Sequence, residues 1–153
     1  MFDVRKCEPN CDPKQLLFNL PQWHLELYCE GVRIGSVVES RSKYCNRLVI
    51  DPFGLPGIEQ TNLCDRQRTI LNFPTNQLFV TVSAPYRVFK NTSLHEATLL
   101  CSKYFICLFE QLGPDRLMRG SDWPWTRFED GQTYEDTLKW HDNWIEAVSK
   151  TTL

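Results

Sequence analysis

Six residues able to do chemistry stand just past short apolar runs: Glu30, Asp51, Ser83, Tyr86, Arg87 and Asp122. Asp122 has the clearest setting, in the stretch Leu112–Trp125 that reads Leu-Gly-Pro-Asp-Arg-Leu-Met-Arg-Gly-Ser-Asp-Trp-Pro-Trp. Gly113 and Pro114 stop a preceding helix, because glycine accepts a left-handed cap and proline cannot continue the helix. Leu117-Met118 then forms a short apolar run that ends at Gly120-Ser121-Asp122. This predicts an aspartate at the C-terminal tip of a buried strand, where barrels of alternating strands and helices carry their reactive groups. If the strands are parallel, all six residues meet on one rim. Carboxylates with an arginine there can bind an anionic substrate and activate water. Asp and Ser also favour strand ends for their own backbone bonding, so the same residues serve as turns and caps in many folds.

Histidine is scarce, with three in the chain. His24 falls near the start of a strand, His95 in the first turn of a helix and His141 in mid-helix. Each reads as a partly exposed surface or cap residue, and none stands at a strand tip. A catalytic zinc takes three protein ligands, usually including histidine, and one copy of this chain offers no such set. Cys7 and Cys11 have a zinc-compatible spacing but no second pair downstream. Phosphate loops, dinucleotide glycine patterns and nucleophile elbows are absent. Trp123, Trp125, Trp140 and Trp144 could stack a cyclic substrate or pack a core.

The elements that would position these groups alternate. Trp23–Cys29 reads as a strand with Trp23, Leu25 and Leu27 on one side. Leu48-Val49-Ile50 is a continuous apolar run suited to a strand covered on both faces. Leu78–Val82 is β-branched and aromatic. Weaker helical patterns lie at 13–20, 32–43 and 62–72. Ser93 with Glu96 makes a capping box for a helix through Leu112, so apolar from Leu99 to Phe109 that it reads either as a well-buried helix or as one that buries its second face against another chain. Thr133 with Asp136 starts a last helix whose expected apolar stripe is Tyr134, Leu138, Ile145 and Val148. Strands alternating with helices argue for parallel β/α units. An eight-fold barrel takes about 250 residues, so these 153 residues hold about half of one, as a single domain.

Composition narrows the partners. Lys and Arg number 17 against 19 Asp and Glu, a net charge of -2, which argues against nucleic acid. No apolar run reaches the roughly 20 residues of a membrane span, and the first residues lack a signal-peptide core. The expectation is a soluble, cytoplasmic protein, its seven cysteines mostly free thiols.

Four stretches, in order, resemble the amidohydrolase-related family that includes pyrone-dicarboxylate lactonases and sugar lactonases. Trp23–Tyr28 is similar to that family's fifth barrel strand, and Leu48–Gly54 to the sixth. Leu78–Arg87 is similar to the seventh, with Val-Ser-Ala-Pro-Tyr-Arg for the family's Leu-Ser-Gly-x-Tyr-Arg. Leu117–Pro124 is similar to the eighth, with Gly-Ser-Asp-Trp-Pro intact. The resemblance implies an α/β fold, the C-terminal half of a (β/α)8 TIM-type barrel, and hydrolysis of a lactone or related cyclic substrate. It implies Asp122 as the base that activates water, with Ser83, Tyr86 and Arg87 holding a substrate carboxylate or carbonyl. The family often binds a divalent metal such as zinc. Here the histidine after the sixth strand is Pro52, the one after Asp-Trp-Pro is Trp125, and the first-strand His-x-His pair is missing. The chain is therefore expected to carry no metal or other cofactor and to self-associate. A relative that binds or scaffolds without turnover, or one with no independent function, is the alternative.

Overall fold

A computed structural model of the chain describes residues 24–28, 47–53, 77–89, 92–125 and 133–151. Within them, β1 (Leu25–Tyr28), β2 (Leu48–Asp51), β3 (Leu78–Val82) and β4 (Leu117–Arg119) lie side by side in chain order in one sheet. Every pairing is parallel. Leu25 aligns with Leu48 and Leu48 with Leu78, and Val80 aligns with Leu117. Parallel neighbours need crossovers, and the described part of the one between β3 and β4 is helical. α1 (Pro85–Val88) and α2 (Leu94–Leu112) carry the chain from β3 to β4, and α3 (Tyr134–Thr151) follows β4.

The strands show why this sheet has two unequal faces. Leu25, Leu27, Leu48, Ile50, Leu78, Val80 and Val82 alternate onto one face and are all buried. They join Ala97, Cys101, Tyr104, Phe105 and Leu108 of α2 and Trp140 and Trp144 of α3 in a single core. Phe53, just past β2, meets Trp144 edge-on at 5.0 Å and Tyr104 at 5.7 Å. The opposite face carries Glu26, Phe79, Thr81 and Met118, all half-buried, and Tyr28, which is exposed.

The Thr133–Asp136 capping box forms, and Ser93 caps its helix. The Ser93 hydroxyl accepts from the Glu96 N–H at 3.2 Å. Thr133 and Asp136 exchange bonds, with the Asp136 N–H donating to Thr133 Oγ1 at 3.2 Å and the Thr133 N–H to Asp136 Oδ2 at 3.2 Å. Gly113 ends α2 at φ 80°, ψ 163°, an extended region open essentially to glycine rather than the left-handed helical cap expected.

Two expectations are corrected. β4 is not buried: it is the last strand of the sheet, and its residues are half-buried or exposed. In α3 the stripe facing the core is Thr137, Trp140, His141 and Trp144, while Tyr134, Leu138 and Ile145 face outward. Two indoles bring more apolar surface than the aliphatic stripe and set the helix's rotation. α2 is buried along one stripe, while on its other face Leu99 is exposed and Leu100, Ile106 and Phe109 are half-buried, an apolar face that the described residues of this single chain do not cover.

Cys101 is a buried free thiol, and Cys107 is half-buried. The helical patterns at 13–20, 32–43 and 62–72, with Cys7, Cys11, Trp23 and Glu30, lie outside the described residues. Among the described residues, no helix is long and apolar enough to cross a membrane.

Candidate active site

Parallel strands in chain order put every C-terminal tip at the same rim. Asp51 is the last residue of β2, Ser83 follows β3, and Asp122 lies in the segment after β4. Ala84 takes a left-handed conformation at φ 47°, ψ 62°, which turns the chain sharply off β3. Pro85 then opens α1, where its fixed φ suits a first helical position. The Arg87 N–H closes the turn onto Ala84 O at 2.9 Å. Tyr86 and Arg87 are thereby carried towards β4.

On the other side, the Gly120 N–H donates to Val82 O at 3.2 Å, tying the β4 exit to the end of β3. Asp122 lies at φ 58°, a region that aspartate visits more readily than most residues. The Trp125 N–H donates to Asp122 O at 2.7 Å, and the Trp125 indole to Ser121 O at 3.0 Å. The Trp123–Pro124 peptide is cis.

These turns bring Asp122 back against α1. Its Oδ2 accepts from the Tyr86 hydroxyl at 2.6 Å and from Arg87 Nε at 2.5 Å. The arginine and aspartate side chains are 15% and 18% exposed, so the pair is sheltered but not sealed. The Tyr86 ring packs edge-on against Trp140 at 5.7 Å, which braces α1 on α3. Burial and the bond to Asp122 push the tyrosine hydroxyl's pKa up. Burial works against the Arg87 charge, and the bond to Asp122 more than restores it.

Asp51 has a different setting. Burial, then the charges of Glu26 and Asp122, push its pKa up to about 7, while Arg87 and a hydrogen bond from Ser83 hold it partly down. Ser83 is itself 2% exposed. The rim thus pairs a carboxylate held by two donors with a carboxyl that exchanges its proton near neutral pH.

Of the six residues singled out in the sequence, Tyr86, Arg87 and Asp122 are in direct contact, Asp51 and Ser83 stand on the same rim, where Asp51 feels the charges of Asp122 and Arg87, and Glu30 lies outside the described residues. His24 and His95 are exposed, as expected. His141 is a correction: it is buried, with Nδ1 2.6 Å from Thr137 O and Nε2 3.0 Å from Val82 O. Burial holds its pKa below the ordinary histidine range, against the pull of those carbonyls. Its place one residue after Trp140 and three before Trp144 was the available signal, since all three share a helical face.

Among the described residues, no three His, Cys, Asp or Glu side chains lie close enough together to hold a metal ion. The groups beside Asp122 are a cation and a hydroxyl donor. This donor set does not fit a divalent metal, and no step is derived through one.

No protein-family model and no curated protein matches the sequence. Solved structures do match. A Pseudomonas putida protein assigned as a 2-pyrone-4,6-dicarboxylic acid hydrolase aligns over 80% of this chain at 27% identity, with a TM-score of 0.71. An Acinetobacter baumannii protein assigned to the same activity, with citric acid bound, aligns over 86% at 22% identity, with a TM-score of 0.72. A zinc-bound amidohydrolase from Burkholderia multivorans aligns over 88% at 17% identity, with a TM-score of 0.68. The chain covers 44%, 47% and 48% of these proteins, so it spans just under half of their length. By fold the chain is amidohydrolase-like: four parallel strands with their helices, similar to about half of a TIM barrel of that family.

Proposed function

We propose that the rim is the acid–base side of a hydrolase site for a lactone or related cyclic ester bearing a carboxylate. The observation that carries this reading is the convergence of Tyr86 and Arg87 on Asp122 Oδ2 at 2.6 and 2.5 Å. Asp122 takes a proton from water, and the water oxygen adds to the ring carbonyl carbon. The ring C–O bond then breaks, and the leaving oxygen takes the proton of Asp51. A carboxyl with its pKa near 7 suits this task, because both of its forms are populated at neutral pH. Arg87 and Tyr86 hold Asp122 in place and meet the substrate's carboxylate or carbonyl as it enters. Ser83, expected from the resemblance to touch substrate itself, acts in this reading through Asp51. The substrate class is supported by the neighbours assigned as pyrone-dicarboxylate hydrolases.

A second reading, binding of a carboxylate without turnover, is favoured by one observation: Asp122 already accepts from both a cation and a hydroxyl. Acid release from a panel of lactones, with the wild-type chain and Asp122→Ala, tests the two. The hydrolytic reading expects turnover by the wild type and a loss of about 10²–10⁴-fold in the variant, the usual worth of a general base. Saturable binding of a dicarboxylate with no turnover would favour the second reading.

A further inference from the structure

The geometry points to a second copy of this chain as what closes the sheet, β4 of each copy pairing with β1 of the other. The inference names a partner for the site read above. It rests on the sheet rather than on the hydrolytic chemistry, so a dimer without turnover would sink the chemistry alone.

Three observations carry it. First, β1 and β4 are the ends of the sheet, and each has one edge with no strand against it among the described residues. Unpaired edges present rows of backbone donors and acceptors that native proteins pair or cover. Second, parallel sheets are covered on both faces, yet of the described residues on the face with Glu26, Tyr28, Val49, Phe79 and Met118 only Val49 is buried, the others being half-buried or, at Tyr28, exposed. Third, apolar surface continues beside the β4 edge. A hollow of about 230 Å³ opens between Leu117, Phe105, Phe109, Trp144 and Ile145. Ile145, at 59% exposed, continues into Leu138 and Tyr134 along the outer stripe of α3.

Strand number selects the occupant. Eight parallel strands close a barrel of this kind, and the described residues form four. The chain covers 44–48% of the barrels it matches, so two copies supply about one barrel. A twofold axis makes the two β4–β1 junctions identical and leaves no open edge, which is the closed, isologous arrangement most homodimers adopt. Both half-exposed faces then turn inward onto each other. All strand tips stay on one rim, so Asp122 of each copy faces the partner's Tyr28 across a junction. Each site is completed by the other chain.

Light scattering on the size-exclusion peak of the full chain at micromolar concentration is the test. The wild type is expected at the mass of two chains. Ile145→Asp, which charges an exposed position beside the hollow, is expected at the mass of one chain with its helical circular dichroism unchanged. A wild type at one-chain mass overturns the inference, including one that pairs only with a different protein. A two-chain mass in both proteins overturns this seat, and a wild type above two chains overturns closure. If Ile145→Asp loses its helical signal, Leu138→Asp on the same outer stripe takes its place, and the wild-type mass still decides.

Discussion

Asp51 and Asp122 share a rim, yet their neighbours set them apart. Asp122 faces a guanidinium and a hydroxyl at hydrogen-bond distance, whereas Asp51 faces the charges of Glu26 and Asp122 from a largely dry position. A carboxyl whose pKa is higher folded than unfolded binds more protons in the folded state between the two values. Stability contributed by that proton is full below the unfolded pKa and is lost as pH rises towards the folded one. For Asp51 the window runs from 3.8 to about 7, and the loss across it is on the order of 4 kcal/mol at most. Urea midpoints are therefore expected to fall as pH rises from 5 to 8, and Asp51→Asn is expected to flatten that fall. An unchanged slope in Asp51→Asn would place the titration elsewhere. Much of this site was legible in the sequence, because Asp, Ser, Tyr and Arg after apolar runs mark strand tips in any parallel sheet. The proton affinity of Asp51 was not legible, since Glu26 and Asp122 lie far from it in sequence and only the sheet brings their charges close. His141 was missed for a related reason: its two carbonyl neighbours come from different elements, Thr137 in α3 and Val82 in β3.

The elements hold the rim through backbone as much as through side chains. A Cβ on Gly120 would lie 2.9 Å from Thr81 Cγ2 and 3.1 Å from Ser83 Cβ, both anchored at the end of β3. Neither neighbour is the far end of a long, flexible side chain, so β4 itself must shift. Gly120→Ala is expected to cost about 1–3 kcal/mol, read as a lower urea midpoint with an unchanged m value. It should also weaken hydrolysis, because the same shift carries Asp122 away from Arg87. Full stability in this variant would show that β3 and β4 can separate freely at their tips. The strongest local signals were the ones that read correctly. Ser93 starts α2 by accepting from Glu96, Thr133–Asp136 starts α3 by reciprocal capping, and β3 follows its β-branched run. Local signals failed where tertiary packing chose between two plausible faces. The rotation of α3 depends on Trp144, whose ring stacks on Phe105 at 6.0 Å and whose indole donates to Thr98 O at 3.1 Å. Both partners lie on α2, and no helical period within α3 could have announced them.

At the scale of the molecule, the described helices cover one face of a parallel sheet, and among the described residues of the opposite face only Val49 is buried. A chain in this condition gains stability from whatever covers that face, and the gain depends on concentration when the cover is another copy. For a dimer that dissociates as it unfolds, the free energy of unfolding contains the protein concentration, so dilution favours the separated, unfolded chains. A hundred-fold dilution removes about 2.7 kcal/mol per dimer at room temperature. That change is expected to lower the midpoint of thermal unfolding in the wild type, followed by circular dichroism at two concentrations. In Ile145→Asp, where the hollow beside β4 gains a charge, the midpoint should be lower and the same at both concentrations. A wild-type midpoint that ignores dilution would mean that the face with Phe79 and Met118 is stable in water without a second copy. The barrel-closing arrangement would then lose its thermodynamic ground, whatever the rim can do chemically.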